Sequence, residues 1–305
     1  MTAASNTSRP SPPWQAPAFI WLDLTSRCPL ECVHCYAEAS PRGGHGQMST
    51  AAWLAVIGQA AVLGVGQVIV IGGEPLYHPG CGDIVRHALA QGMQVEIFSS
   101  LYRVTPAQWE LAALDGVSLA CSYYSDDPAQ HEAISGRRGS HARTRANIAE
   151  AARRGIPVRV GIIGLTKEQR TRQAMTELSA LGIPRKAIGL DRLRAFGRGA
   201  AGLPDEADTC GGCGHGNAAI LPDGTVTPCV FTRTAAAGSV LAETLGDVLA
   251  GGAFAAQVAR LDSLRPAARP CVPDMCDPQC GPSCSPACGP AGNCRPSGAC
   301  APDYR

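Results

Sequence analysis

Short apolar runs alternate with amphipathic stretches from residue 18 to about residue 195. The runs are rich in Val, Ile and Leu and predict buried strands, whereas the stretches between them have apolar residues at helical spacing. The predicted strands are 18–24, 67–71, 93–98, 117–122, 157–163 and 187–191, and the predicted helices centre on 49–64, 81–91, 105–114, 141–154 and 167–181. Six βα repeats predict a parallel sheet with right-handed crossovers, either flat or curled into part of a barrel.

Local signals support these elements and indicate where the chemistry lies. Thr105-Pro106-Ala107-Gln108 offers a helix N-cap, a proline at the first helical position and a capping-box glutamine. Gly155-Ile156-Pro157 ends another helix. In parallel sheets, functional residues lie in the loops at the carboxyl ends of strands, so these loops are the candidate sites.

The pattern changes after Arg198, where Gly and Pro become frequent and the alternation is lost. Residues 218–229 predict a hairpin that turns at Pro222-Asp223-Gly224, and one helix is predicted over about 241–259. From Cys271 to Cys300 nearly every fourth residue is Cys and most others are Pro, Gly, Ser or Asp, so order there must come from cross-links or metal. We expect a disordered tail over 1–17, an α/β domain over 18–198 and a Cys-rich, irregular domain over 199–305.

One segment, residues 51–73, has no charged residue over a length that could span a membrane. Gly58, Gly64 and Gly66 interrupt it, and the β-branched run after Gly66 is typical of a buried parallel strand that follows a helix. The segment therefore predicts a helix and a strand of the sheet, with no membrane partner.

Charge and cysteine content narrow the classes of function. The net charge of +1 and the pI near 7.5 do not favour a nucleic-acid partner. Fifteen cysteines, ten of them between Cys210 and Cys300, predict disulfides in a secreted protein or metal sites in an intracellular one. Residues 1–17 lack the basic start and apolar stretch of a signal peptide. We therefore expect a cytoplasmic protein that binds metal.

Two loops carry the strongest chemical signals. Cys28, Cys32 and Cys35 follow the first predicted strand, and a CxxxCxxC loop offers three thiolates to one metal centre while leaving a coordination position free. Alone, this spacing is equally typical of a zinc or structural site. Gly72-Gly73-Glu74-Pro75 closes the second predicted strand, where the glycines let backbone approach a ligand and the glutamate can accept from an ammonium group.

Together, the cysteine spacing, the preceding strand and the Gly-Gly-Glu-Pro turn resemble the radical S-adenosylmethionine (SAM) enzymes. The resemblance implies a partial (β/α)6 barrel in which a 4Fe-4S cluster on the three cysteines binds SAM through its unligated iron. It implies that Glu74 holds the amino group of SAM and that His34 lies near the adenine, with Tyr36 as a second candidate for that contact. Reductive cleavage of SAM would give a 5′-deoxyadenosyl radical that takes a hydrogen atom from the substrate.

Weaker matches to the same family follow the later strands. Ser99-Ser100 and Ser122 lie where the family contacts SAM, although Ser122-Tyr-Tyr-Ser-Asp126 departs from the usual turn. Arg137 or Arg138 is a candidate for the SAM carboxylate, and Gly161–164 for the adenine. Each of these also fits an ordinary polar or turn residue. The segment 194–199, Arg-Ala-Phe-Gly-Arg-Gly, resembles the subset of the family with a C-terminal cysteine domain, and it fits a basic loop equally well.

The C-terminal cysteines resemble a SPASM domain, the auxiliary-cluster module of radical enzymes that modify peptides. Cys213-x10-Gly224-x4-Cys229 matches its start, while the later spacing fits less well. The resemblance implies one or two auxiliary iron-sulfur clusters, and their candidate ligands are Cys210, Cys213, Cys229, Cys271, Cys276, Cys280, Cys284, Cys288, Cys294 and Cys300. Disulfides or free thiols are the alternative for some of them. Cys81 and Cys121 lie apart and are predicted to be small core residues.

The resemblance implies an oxidoreductase that matures a ribosomally made peptide or a protein. A sulfatase-type maturase or an enzyme of cofactor biosynthesis is the alternative within the class. Expected partners are a flavodoxin- or ferredoxin-type reductant and a separate leader-peptide-binding protein, because 17 residues before the first strand are too few for a winged-helix domain.

Two other classes of protein stay open. One is a non-catalytic iron-sulfur electron carrier, although the α/β body is larger than electron transfer requires. The other is a zinc-stabilised binding module, in which the Gly-Gly-Glu-Pro turn has no role.

Overall fold

The computed structural model describes residues 16–200, 202 and 205–264, and its centre is a nine-stranded sheet. The strands are β1 (Phe19–Asp23), β2 (Gln67–Ile71), β3 (Gln94–Phe98), β4 (Val117–Tyr123), β5 (Val158–Gly164), β6 (Ile188–Arg192), β7 (Asn217–Ile220), β8 (Thr225–Thr227) and β9 (Gly238–Ser239). The helices are α1 (Thr50–Val62), α2 (Cys81–Ala90), α3 (Pro106–Ala112), α4 (Pro128–Ser135), α5 (Ser140–Arg153), α6 (Thr171–Ala180), α7 (Leu245–Ala250) and α8 (Gly252–Ser263).

The first six strands form the parallel sheet that the apolar runs predict. They lie in the order β6-β5-β4-β3-β2-β1, and every neighbouring pair is parallel. The sheet continues through β7 and β8 to β9 and does not close on itself among the described residues. The predicted fold class, an α/β partial barrel, is therefore confirmed.

Two helix predictions need correction. Helix α4 was not predicted; it begins after Asp127, whose carboxylate accepts a hydrogen bond from the Gln130 N–H at 2.8 Å, and Gly136 ends it in the left-handed conformation. The single helix predicted over 241–259 is wrong, because α7 and α8 are separate helices. The backbone of Gly251 between them is extended, with φ −73° and ψ 151°, and this interrupts the helical hydrogen bonds.

The chain after residue 216 adds to the same sheet. Strand β7 pairs in parallel with β1, with Phe19 opposite Asn217, and then pairs antiparallel with β8. The predicted hairpin is thus present, and Gly224 takes a positive φ of 85° in its turn. The proposed division of the chain at residue 198 stays a prediction, and residues 1–15 of the predicted tail lie outside the described residues.

The two faces of the sheet have different surroundings. Alternate strand residues such as Ile20, Leu22 and Val70 pack with the helices in the main apolar core. The opposite face carries Ile69 and Ile71, which form a second cluster with residues of the C-terminal segment. The uncharged segment 51–73 forms α1 and β2, as predicted. Among the helices that the structure describes, none has the length and apolar character needed to cross a membrane.

Small residues occupy the second face at one side of the sheet. Ser122 of β4 lies opposite Gly161 of β5, which lies opposite Gly189 of β6. Paired residues of neighbouring strands point to the same side, so this row leaves room above the sheet next to the carboxyl ends of the strands.

Candidate active site

The three N-terminal cysteines lie in the loop that joins β1 to α1. The Cys28 N–H donates to the Ser40 carbonyl at 3.0 Å, and the Cys35 N–H donates to the Cys32 carbonyl at 3.2 Å, so the loop folds back on itself. Cys28 is buried, while Cys32 and Cys35 are half-buried. All three pack in one small apolar cluster whose other members are Leu30, Ala39 and Tyr102. The loop therefore presents its thiols together in a largely apolar setting.

The end of α4 supports this loop from one side. The Glu31 N–H donates to the Ser135 carbonyl at 3.1 Å, and the Val33 N–H donates to the Ile134 carbonyl at 3.0 Å. Gly136 permits the close approach, since a Cβ there would lie 2.5 Å from the Glu31 carbonyl oxygen. The unpredicted helix thus fixes the backbone between the first and third cysteines.

Arg198 holds the loop from another side. Its Nε donates to the Cys32 carbonyl and its Nη2 to the Ala39 carbonyl, both at 2.8 Å, and its backbone N–H donates to the Cys35 carbonyl at 3.0 Å. Gly197 allows this contact because a Cβ there would lie 2.4 Å from the Tyr36 carbonyl oxygen. The segment 194–199 is therefore part of the support of the cysteine loop, and Arg198 is a positioning residue.

The Gly-Gly-Glu-Pro turn lies directly against the same loop. The Gly73 N–H donates to the Thr25 carbonyl at 2.6 Å, and the Glu74 N–H donates to the Arg27 carbonyl at 2.9 Å. A Cβ on Gly73 would lie 2.5 Å from the Arg27 carbonyl oxygen, so this contact requires glycine. The two loops that the sequence singles out are thus joined backbone to backbone at the carboxyl ends of β1 and β2.

The Glu74 carboxylate is buried and held by three hydrogen bonds. Oε2 accepts from the Ser100 N–H at 2.9 Å and from the Ser100 hydroxyl at 2.5 Å, and Oε1 accepts from the Leu76 N–H at 3.3 Å. Burial raises the pKa of Glu74, while the hydrogen bonds from Ser100 act in the opposite direction. A carboxylate has about four acceptor positions, so one is left for a further donor such as an ammonium group.

Both serines of the turn after β3 act on Glu74, because hydrogen bonds from the Ser100 and Ser99 side chains lower its pKa against the effect of burial. Sequence reasoning favoured Ser99 and Ser100 as a pair, and the structure gives Ser99 a second role in the turn. Ser99 is buried, its hydroxyl accepts from the Leu101 N–H at 3.0 Å, and Leu101 has a positive φ of 51°. Helix α5 steadies this turn, because Thr144 donates to the Ser100 carbonyl at 3.0 Å and Asn147 to the Leu101 carbonyl at 2.7 Å.

The weaker candidates lie on β4 and in the segment after α4. Ser122 is half-buried on β4, in the row of small residues opposite Gly161. Arg137 is exposed, and its Nε donates to the Tyr102 hydroxyl at 3.3 Å. Its neighbour Arg138 is also exposed.

Aromatic rings flank the second and third cysteines. The His34 ring meets the Tyr124 ring edge to face, with centroids 5.1 Å apart, and burial lowers the pKa of His34 to about 4. The Tyr124 hydroxyl donates to the Cys32 sulfur at 3.8 Å. On the other side the Tyr36 ring packs against Phe231, with centroids 4.9 Å apart. Sequence reasoning assigned no role to Tyr124 or Phe231.

Three of the C-terminal cysteines gather on the second face of the sheet. Cys213 and Cys229 are buried in the cluster that includes Ile69 and Ile71. The hydrogen bond between the two thiols lowers the pKa of Cys213 and raises that of Cys229, to which burial and the charge of Cys210 also contribute. The remaining candidate ligands lie outside the described residues: Cys271, Cys276, Cys280, Cys284, Cys288, Cys294 and Cys300. Cys81 and Cys121 are buried core residues, as predicted.

The donor set of the N-terminal loop fits a cluster of several irons. Within the described part of the chain, no three His, Cys, Asp or Glu side chains are arranged around a single metal ion. A 4Fe-4S cluster binds each thiolate through a different iron, so its ligands need no such arrangement. Burial raises the pKa of Cys28 and brings that of Cys32 to about 11, and bound iron would deprotonate both thiols.

Comparison with known protein families supports this assignment of chemistry. The model of the radical SAM superfamily matches residues 22–178, which is more than half of the chain. The chain belongs to the radical SAM superfamily. A second match, to the SPASM iron-sulfur cluster-binding domain, covers residues 210–285.

Individual relatives show the same relationship. A PqqA peptide cyclase of Ruegeria pomeroyi is 28% identical over 261 residues, which are 72% of this chain and 69% of that protein. A PqqA peptide cyclase of Xanthomonas axonopodis pv. citri is 33% identical over 150 residues, but the match spans only 48% of this chain and 40% of that relative. The crystal structure of Streptococcus suis SuiB bound to S-adenosylmethionine shares the fold, with a TM-score of 0.65 at 15% identity over 82% of this chain and 68% of SuiB.

Membership of the radical SAM superfamily confirms the family that the cysteine loop and the Gly-Gly-Glu-Pro turn indicate. It confirms the cofactors of that family, a 4Fe-4S cluster and SAM, and the SPASM match confirms auxiliary iron-sulfur binding by the C-terminal region. The assignment of single residues to each cofactor stays a prediction.

In this radical SAM protein, Tyr124→Phe is expected to lower the midpoint potential of the N-terminal cluster. The variant removes the hydroxyl that donates to the Cys32 sulfur, and hydrogen bonds to ligand sulfurs stabilise the reduced cluster. The expected fall is on the order of tens of millivolts, measured by potentiometric titration with EPR detection. Tyr102→Phe, which loses a hydroxyl that is bonded to Arg137, is the matched control. A potential that is equal in Tyr124→Phe and the parent would contradict the assignment of Cys32 as a ligand hydrogen-bonded by Tyr124.

Proposed function

We propose that this chain cleaves SAM reductively at a 4Fe-4S cluster held by Cys28, Cys32 and Cys35 and abstracts hydrogen from a peptide or protein substrate. The observation that carries the proposal is the direct backbone junction between the three-thiol loop and the Gly-Gly-Glu-Pro turn, made by Gly73 and Glu74. Such a junction puts a metal centre with an open coordination position beside a buried carboxylate. Neither an electron carrier nor a zinc module requires that combination.

When bound, the cluster and SAM supply one-electron chemistry and a carbon radical. The residues of the chain bind, orient and shield. Arg198 and the end of α4 fix the backbone that carries the thiols, which would hold the cluster in place. Ser100 fixes the Glu74 carboxylate, whose remaining acceptor position would take the ammonium group of SAM.

The surrounding surface fits an adenosyl group and a substrate. The His34 ring, kept neutral by burial, would pack against the adenine, with Tyr36 on the neighbouring side of the loop. The row of small residues at Ser122, Gly161 and Gly189 leaves space above the sheet. Ser99 would contribute by holding the turn that presents Ser100 to Glu74.

The C-terminal cysteines would hold one or two auxiliary clusters. Cys213 and Cys229 lie on the same face of the sheet as the site, in a cluster against which the rings of Tyr36 and Phe231 pack. An auxiliary cluster in that position could take the electron that an oxidised substrate gives up. The seven cysteines from Cys271 to Cys300 would supply the other ligands.

A ribosomally made peptide is the proposed substrate. The support is the likeness to proteins named PqqA peptide cyclase, one of which aligns over 72% of this chain. A leader-peptide-binding protein and a flavodoxin- or ferredoxin-type reductant are the proposed partners. A cytoplasmic location belongs to the same proposal, since a reducing compartment keeps fifteen cysteines available for iron.

The substrate proposal is tested with the product of a short reading frame next to this gene. The anaerobically reconstituted protein is incubated with that peptide, SAM and a reductant, and the peptide mass is measured. Oxidative cross-linking predicts a loss of two hydrogen atoms per turnover, and epimerisation predicts deuterium uptake from heavy water. SAM cleavage with an unchanged, unlabelled peptide would contradict a role in maturing it.

A further inference from the structure

Exposed arginines surround two tyrosines beside the cysteine loop. The guanidinium carbons of Arg137 and Arg143 lie 5.6 Å and 5.0 Å from the centroid of the Tyr102 ring. Arg103, also exposed, follows Tyr102 in sequence, and its charge acts on the neighbouring Tyr77. We call Arg103, Arg137 and Arg143 the arginine patch.

The positive charge of the arginine patch is not neutralised within the described part of the chain. None of its three arginines forms an ion pair with a described carboxylate. Arginines elsewhere on the surface, such as Arg153 and Arg170, do form such pairs. Glu31, on the cysteine loop, pairs with Arg42 instead. Cation–π contact with the Tyr102 ring restrains the guanidinium groups of Arg137 and Arg143, and the neutral ring leaves their net positive charge in place. The patch therefore presents preorganised cations to an approaching protein.

The tyrosines connect the arginine patch to the predicted cluster. Tyr102 is buried in the apolar cluster that contains Cys28. Tyr77 is partly exposed, and its N–H donates to the Glu74 carbonyl at 2.9 Å. An electron carrier docked on the patch would thus stand one aromatic layer away from a ligand of the cluster.

We propose that the arginine patch docks a small acidic electron carrier of the flavodoxin type. In each event the flavin hydroquinone gives one electron to the oxidised cluster, which leaves a flavin semiquinone and a reduced cluster. Arginine suits the carboxylates around an exposed flavin because its planar fork binds both oxygens of a carboxylate, and the partly exposed ring of Tyr77 matches the flat apolar rim of the flavin. This inference rests on the proposed function, because it requires a cluster on Cys28, Cys32 and Cys35.

The test compares two double variants that each remove two positive charges. Arg103→Gln with Arg143→Gln changes the patch and keeps Arg137, the candidate for the SAM carboxylate, and Arg172→Gln with Arg185→Gln changes exposed residues of α6 and the turn before β6. Cluster reduction by a reduced flavodoxin is followed anaerobically by stopped-flow absorbance. We expect the patch variant to be about tenfold to a hundredfold slower at low salt and the control to stay within about twofold. The difference should shrink at high salt, because screening weakens steering.

Dithionite provides the reference for an intact cluster. It should reduce both variants and the parent at the same rate, since a small reductant needs no docking surface. Arg103→Glu, which removes no described hydrogen bond, gives a second variant and should also slow the flavodoxin reaction. Equal flavodoxin rates in the parent and the patch variant would overturn the docking proposal and leave the proposed function intact. If the patch variant slowed reduction by an acidic ferredoxin but not by the flavodoxin, the flavodoxin assignment would be overturned. A reconstituted parent that holds no iron and sulfide would contradict the proposed function itself.

Discussion

Replacing Arg233 with methionine is expected to destabilise the protein by about 3–4 kcal/mol near neutral pH. Arg233 forms an ion pair with Asp23, which is 1% exposed at the end of β1. The other oxygen of that carboxylate, Oδ1, has no hydrogen-bond partner among the described residues. The variant would leave Asp23 either charged and unpaired in an apolar setting or protonated. Protonation of Asp23 costs about 1.4 kcal/mol for each pH unit above its ordinary pKa near 3.9. This cost is the upper limit of the stability that the variant loses, because the folded protein can always take up the proton instead of burying the charge.

The loss in Arg233→Met should depend on pH with a definite sign. Burial already raises the pKa of Asp23 in the parent, and the arginine acts in the opposite direction. Without the arginine the pKa in the folded state rises further above its unfolded value. The folded variant then binds more protons than the unfolded chain, so its stability falls as the pH increases above about 4.

Urea unfolding at about pH 5 and about pH 7.5 tests this expectation. The free-energy difference between parent and Arg233→Met should be larger at the higher pH. The double variant Asp23→Asn with Arg233→Met removes the ionisable group and should show a smaller loss that hardly depends on pH. A loss in the single variant that is the same at both pH values would contradict the ion pair.

Replacing Arg198 with alanine is expected to remove most of the 4Fe-4S cluster from the N-terminal loop. The guanidinium group donates to the carbonyls of Cys32 and Ala39, and hydrogen bonds from a charged donor each contribute about 1.5–3 kcal/mol. Their loss leaves two carbonyls unsatisfied and frees the backbone between the second and third cysteines. A cost of about 3 kcal/mol corresponds to roughly a hundredfold fall in the population of loops that are ready to bind iron.

The effect of Arg198→Ala is measured by the iron and sulfide content and by the visible absorbance. The substitution is made in a background without the C-terminal cysteines from Cys210 onward, so that only the N-terminal loop can bind iron. Arg198→Lys can reach only one of the two carbonyls and should give an intermediate content. Arg170→Ala, which breaks an exposed ion pair with Asp126, should match the parent. An Arg198→Ala variant that holds as much iron as the parent would show that the loop does not need this support.

Much of the fold follows from local patterns, and the exceptions have physical causes. Strands β1 to β5 are short runs that are mostly apolar, so their burial follows from their own residues, whereas the edge strand β6 has only Ile188 buried. Helix α4 is short and mostly polar, and its order comes from the Asp127 cap and from contact with the cysteine loop. The pairing of β7 with β1 joins residues about 200 positions apart, and no local pattern can encode it.

The candidate site divides in the same way. Cys28, Cys32, Cys35 and the Gly-Gly-Glu-Pro turn were found because each is a compact motif with a chemical meaning. Arg198 was seen only as part of a basic segment, since its contact with Cys32 spans 166 positions. The different contacts of Ser99 and Ser100 could not be predicted from sequence. They depend on the turn after β3, in which the Ser99 hydroxyl also accepts from the Leu101 N–H and Ser100 donates to Glu74 through both its hydroxyl and its N–H.

The most direct measurement is the release of 5′-deoxyadenosine from SAM by the anaerobically reconstituted, dithionite-reduced protein. Its control is the variant Cys28→Ala, Cys32→Ala, Cys35→Ala, which keeps all ten C-terminal cysteines. Release by the parent, with none from the variant, is the predicted result and assigns SAM cleavage to the N-terminal loop. Equal release by the variant, or none from a parent that holds iron and sulfide and has its peptide substrate present, would contradict it.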